Sequence, residues 1–129
     1  MKNGAKKKTG GGRHARRKGH QFERDTAIRV RHIFPKARRH LEYQDAEANG
    51  VDLVNTGDFK IQCKKLRKYV SVTTIDEIKC NRAFGEVPVV VTEGDNLPAM
   101  AILYWDDLLD LIEFWESSRR KNVVKPQGE

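Results

Sequence analysis

Residues 87–92, Val-Pro-Val-Val-Val-Thr, constrain this chain more than any other feature. A β-branched run without polar alternation marks a strand covered on both faces. Any fold that accommodates it must stack material on each side of a sheet. The rest of the chain supplies that material. From Gln21 to about Ile33 the spacing predicts a helix, with Glu23, Ala27, Val30 and Phe34 at i, i+4, i+7 and i+11, and Pro35 ends it. Residues 40–46 can form a first strand. Val51–Val54 and Phe59–Lys64 read as a hairpin around Asn55-Thr56-Gly57-Asp58. A helix is expected after Val72–Thr73, with Thr74 and Glu77 at capping-box spacing and Gly85 as its stop. Glu93-Gly94-Asp95-Asn96 turns the chain into a strand over Met100–Trp105. Asp106 can then cap a last helix with Leu108, Leu111, Ile112 and Trp115 on one face. The order is α-β-β-β-α-β-β-α without an internal repeat, which fits an α/β fold with a central mixed sheet flanked by helices. Trp105 and Trp115 are expected in the core.

Charge divides the 129 residues into three blocks. Residues 1–19 carry Lys2, Lys6, Lys7, Lys8, Arg13, Arg16, Arg17 and Lys18 and no acid. Residues 20–68 hold eleven basic and seven acidic residues, and residues 69–129 hold six basic and eleven acidic ones. The net charge of +7 therefore belongs to the N-terminal block, since residues 20–129 sum to −1. With Gly10, Gly11 and Gly12 in a row, residues 1–19 read as a disordered basic arm suited to phosphate contact. A single domain over 20–118 and a flexible tail over 119–129 complete the expected organisation.

No apolar run approaches the roughly 20 residues of a membrane span, and the N-terminus lacks the apolar stretch of a signal peptide. Cys63 and Cys80 are too few for a disulfide scaffold and lack zinc-ligand spacing, so a reduced cytoplasmic setting is expected. The four histidines are scattered, and none is assigned to catalysis.

The chemistry is expected in residues 50–65. Phe59, Ile61 and Cys63 alternate with Lys60, Gln62 and Lys64, which puts Gln62 and Lys64 on one face of a rigid strand. Asp52 on the partner strand joins them only if the hairpin has an odd loop or a bulge near Asp52; an even loop pairs it with Ile61 instead. Polar groups in mid-sheet need partners. A Mg²⁺ ion held by Asp52 and the Gln62 carbonyl oxygen beside Lys64 would satisfy them, since Mg²⁺ takes one or two carboxylates. Glu23, on the apolar stripe of the first helix, points to the same site.

These residues resemble the PD-(D/E)XK nuclease superfamily: a helix-borne Glu, then Asp, then an acidic or amide residue, one spacer and Lys. Gly19-His-Gln-Phe-Glu-Arg-Asp25 looks like the opening helix of archaeal-type Holliday junction resolvases. Gly50-Val-Asp-Leu with Ile61-Gln-Cys-Lys64 looks like the core of Mrr-type endonucleases, which also use Gln. The resemblance covers roughly residues 19–105. It implies a restriction-endonuclease-like αβββαβ core and Mg²⁺-dependent hydrolysis of DNA, with Mn²⁺ able to substitute. Glu23, Asp52, Gln62 and Lys64 would be catalytic, the first three as metal ligands. Lys6, Lys7, Lys8, Arg13, Arg16, Arg17, Lys18, Arg38, Arg39, Lys65, Arg67 and Lys68 would contact DNA. A homodimer resolving branched DNA is the leading expectation. An Mrr-like restriction or repair nuclease on duplex DNA and a non-catalytic DNA-binding protein are the alternatives. The neutral Gln62 leaves the site one negative charge short, so weaker metal affinity is expected.

Overall fold

In the computed structural model the described residues are 2–41 and 49–122, with side chains from 12 to 41 and from 49 to 121. The sheet forms around the two strands with the clearest patterns. β3 (Phe59–Lys65) and β4 (Val87–Glu93) are parallel along their whole length, with Gln62 opposite Val90 and Lys65 opposite Glu93. β5 (Met100–Ile102) adds antiparallel to β4, making a mixed three-stranded sheet. A second sheet of two short antiparallel strands, β1 (Arg38–Arg39) and β2 (Leu53–Val54), lies beside it. The architecture is mixed α/β, but it has two sheets rather than one central sheet. The strand expected over 40–46 falls mostly outside the described residues.

Both faces of β3–β4 are covered, as the Val87–Thr92 run requires. α1 (Lys2–Arg29) packs Phe22 and Ala27 on Leu53, Ile61 and Cys63, with Phe59, Val89 and Val91 at the margin. Ile75 and Ile78 pack on Val90 from the opposite side. Val90 is fully buried, and the buried Thr92 hydroxyl accepts the Val70 N–H at 3.2 Å. Burying each such aliphatic side chain contributes about 1.5–3 kcal/mol.

Several local expectations differ from the structure. α1 starts at Lys2, so the basic residues of the segment expected as an arm lie on this helix. At 100° per residue Arg13, Arg16, Arg17, His20 and Arg24 share one ridge of it. The helix expected after Val72–Thr73 is instead two short 3-10 helices, η1 (Val72–Glu77) and η2 (Arg82–Phe84). Their caps explain the break. Ser71, rather than Thr74, caps η1 by accepting the Thr73 N–H, and Asn81 accepts the Phe84 N–H to start η2. Gly85 stops η2 with φ 83°, as its position suggests.

The last helix, α2 (Trp105–Asn122), begins one residue before Asp106 and runs past residue 118. Its apolar stripe is not core. Trp105 is 64% exposed, Trp115 60% and Ile112 43%, so the two tryptophans lie outside the packed layers. α2 is moored at its first turn, where Asp107 pairs with Arg82 at 2.5 Å and Tyr104 donates to Asp76 at 2.8 Å. Cys63 and Cys80 are free thiols. No helix among the described residues is long and apolar enough to cross a membrane.

Candidate functional site

The site forms where the chain changes partner at Asp52. In a regular strand the N–H and C=O of one residue point to the same neighbour. Here the Asp52 N–H donates to Ile61 O at 2.9 Å, toward β3. Its C=O accepts from the His40 N–H at 2.7 Å, toward β1. The expected hairpin ladder between β2 and β3 does not form, because β2 pairs with β1. Asp52 sits at the resulting kink, and its contact with Ile61 is the even register, not the odd register expected to set it opposite Gln62. Asn55 (φ 64°) and Gly57 (φ 61°) shape the turn that follows.

The kink gives the carboxylate a structural task. Asp52 Oδ2 accepts the Cys63 N–H at 2.7 Å, supplying an acceptor to the exposed edge of β3. The carboxylate therefore lies against the backbone edge of β3. Burial pushes the Asp52 pKa above its ordinary value, opposed by the Cys63 N–H and by the charges of Lys64, His40 and Arg39. Glu23, brought in by α1, is also raised, first by burial and then by the Asp52 charge, with Arg39 and His20 opposing. Two carboxylates held in partial burial with raised pKa values form an acidic pair whose ionisation a cation would favour.

The other half of the site hangs from β3. Gln62 is 4% exposed, and its Nε2 donates to Glu77 Oε1 at 3.2 Å. Its Oε1 is buried, and no donor among the described residues reaches it. Lys64 Nζ lies 3.9 Å from the same Glu77 oxygen. Alternation thus holds as expected: Ile61 and Cys63 face α1, while Gln62 and Lys64 face η1. Charge links Glu23 to Asp52 and Asp52 to Lys64, while Glu77 joins Lys64 by an ion pair at 3.9 Å and Gln62 by a hydrogen bond.

Glu77 is the residue that sequence reasoning placed elsewhere, in a capping box. It arrives through the turn before Asp52. Gly50 (φ 78°) lies so close to the end of η1 that a Cβ there would stand 2.2 Å from Glu77 O, and the Lys79 N–H donates to Asn49 O at 2.8 Å. The only sequence signal was an acid one short connection downstream of Lys64.

The donor set suits a hard divalent cation. Carboxylates of Asp52 and Glu23 and an unpartnered amide oxygen are the ligand types Mg²⁺ takes, with water completing the shell. Among the described residues no group of three or more His, Cys, Asp or Glu side chains is placed to hold a metal, so Gln62 Oε1 matters to the fit.

The basic residues expected at DNA separate into two sets. Arg39 donates to Glu23 Oε1 at 2.9 Å and Lys65 pairs with Glu93 at 2.8 Å, which commits both to intramolecular partners. Arg38 donates to Arg39 O at 3.1 Å. Arg13, Arg16, Arg17, Lys18, Arg67 and Lys68 are exposed. Lys6, Lys7 and Lys8 lie on α1, with side chains outside those described. A groove of about 860 Å³ between α1 and β4–β5 includes Lys18, Lys65 and Phe22 but none of Glu23, Asp52, Gln62 or Lys64.

No protein-family model, curated protein or solved structure matches the chain.

Proposed function

We propose that this chain is a divalent-metal-dependent endonuclease that hydrolyses phosphodiester bonds in branched DNA, as a Holliday junction resolvase does. The observation that supports the proposal is the pair of partly buried carboxylates, Glu23 and Asp52, whose charges act on each other, with Lys64 acting on Asp52, together with the buried oxygen of Gln62 that has no donor among the described residues. Asp52, Gln62 and Glu23 would hold Mg²⁺ or Mn²⁺. The cation supplies Lewis acidity toward the scissile phosphate.

The chain's own residues do the rest. Lys64 places an ammonium where charge builds on the phosphate oxygens as water adds to phosphorus and the bond to the leaving oxygen breaks. The Cys63 N–H fixes one Asp52 oxygen. Arg39 orients the Glu23 carboxylate from α1. The exposed ridge of Arg13, Arg16, Arg17 and Arg24 leads along α1 toward Glu23, a track for a phosphate backbone that adds affinity without sequence preference. Two cuts in a four-way junction require two such sites, so a homodimer is part of the proposal. The exposed α2 stripe of Trp105, Ile112 and Trp115 is the candidate interface.

A second reading, a DNA-binding protein without catalysis, is favoured by the neutral Gln62 and by the commitment of Arg39 to Glu23. Cleavage of a labelled four-way junction and of the matching linear duplex, in Mg²⁺ and in Mn²⁺, separates the readings. The junction should be cut and the duplex spared, with activity lost in Asp52→Asn. Equal rates on both substrates overturn the junction preference. Absence of cutting on either, with binding retained, overturns the enzyme.

A further inference from the structure

Glu77 belongs to the second half of the site, where it contacts Gln62 and Lys64. Its carboxylate accepts from Gln62 Nε2 at 3.2 Å and faces Lys64 Nζ at 3.9 Å. The two heteroatoms of an amide lie on opposite sides of its carbonyl carbon, and rotation about the last side-chain bond exchanges them. An unanchored Gln could present either its oxygen or its NH₂ group to a cation, and only the oxygen can ligate. A glutamate at the same position would have two equivalent oxygens and no such ambiguity.

We propose that Glu77 is the positioning residue that makes Gln62 usable as a metal ligand: by accepting from Nε2 it turns Oε1 away from itself and holds the amide in its ligating orientation. The proposal rests on the reading that Asp52 and Gln62 hold a divalent cation. Two independent observations support it. Gln62 is 4% exposed, and its Oε1 is left without a donor among the described residues, so the orientation that satisfies Nε2 leaves the oxygen in need of a positive partner. The contact is also built into the backbone: the positive-φ Gly50 lies against Glu77 O, and the Lys79 N–H holds Asn49 O, so the end of η1 is fixed beside the strand that carries Asp52. The same carboxylate holds the Lys64 ammonium near the site, so one residue on η1 arranges both side chains of β3. The carboxylate absent from position 62 is thereby supplied one layer out, as an acceptor rather than a ligand.

The test measures Mn²⁺ binding to the full chain by calorimetry and by the loss of the free-ion paramagnetic signal, alongside thermal unfolding without metal. Glu77→Leu, which removes the acceptor, should bind Mn²⁺ roughly ten-fold more weakly than the wild type, since groups that orient a ligand are worth about 10–100-fold in metal affinity. Glu77→Gln, which removes the charge but keeps an oxygen able to accept from Gln62 Nε2, should bind nearer the wild type. Adding Gln62→Glu to Glu77→Leu places a carboxylate that presents an oxygen in either orientation, and binding should return to the wild-type level or better. Equal binding by the wild type and Glu77→Leu, or an equal loss in Glu77→Gln and Glu77→Leu, overturns the positioning role while leaving the metal site standing. A loss that the double substitution does not restore also overturns it. Failure of the wild type itself to bind Mn²⁺ overturns the metal reading, and this proposal with it.

Discussion

Replacing Asp52 separates its structural task from its chemical one. Its carboxylate accepts the N–H of Cys63, a buried residue, and is itself held above its ordinary pKa by burial. Asp52→Ala leaves that N–H without an acceptor, which costs about 2 kcal/mol. At roughly 4 °C per kcal/mol for a domain of this size, the melting temperature should fall by about 8 °C. Asp52→Asn keeps an oxygen for the N–H and removes the partly buried charge that also raises Glu23, so it should melt at or above the wild-type temperature at pH 7.5. Both variants should lose metal-dependent cleavage.

The pH dependence follows from the direction of the shift. A raised pKa means that the native chain holds the Asp52 proton more tightly than the unfolded chain. Wild-type stability therefore falls as pH climbs from the ordinary value of 3.8 through the folded value, and the full cost remains above it. Asp52→Asn lacks this loss, so its advantage should grow from pH 3.5 upward and then level off. Thermal unfolding followed by circular dichroism across that range, without divalent ions, measures it. If Asp52→Asn falls as far as Asp52→Ala at pH 7.5, or if the gap is flat with pH, the account of the carboxylate is wrong.

Gly50→Ala places a Cβ 2.2 Å from Glu77 O at φ 78°, so it should cost at least about 2 kcal/mol in a denaturant titration and weaken Mn²⁺ binding by moving η1. Deleting residues 1–19 removes eight positive charges and should weaken junction binding and reduce the slope of log affinity against log salt, while Mn²⁺ binding persists. Burial pushes the Cys63 thiol up to about 12, so alkylation at pH 8 should label Cys80 in the folded chain and reach Cys63 only after denaturation.

Much of the layered core could be read locally. The Val87–Thr92 run announced a strand covered on both sides, and the alternation from Phe59 to Lys64 assigned Ile61 and Cys63 to one face and Gln62 and Lys64 to the other. Gly85 at a positive φ and the turn through Asn55 and Gly57 were likewise visible, because the φ preference belongs to the residue itself. The helix pattern from Gln21 did not show where α1 begins. Composition argued against ordering residues 1–19, with Gly10, Gly11 and Gly12 each costing about 1 kcal/mol in a helix, whereas the structure carries the helix through them.

What only the tertiary structure decided is who meets whom. β2 had the pattern of a hairpin arm, but pairing depends on which edge is free, and β1 took it. The chain then had to bend at Asp52, turning its carboxylate into an acceptor for β3. Arg39 looked like a surface cation until α1 placed Glu23 beside it. Trp105 and Trp115 have core chemistry, yet α2 leaves them exposed. Glu77 joined the site because Gly50 lets two backbones approach where any side chain would collide. Periodicity and backbone preference act within a few residues and are written there. Contacts across 11 to 25 positions, such as Asp52 to Cys63 and Arg82 to Asp107, are chosen by packing of the whole chain.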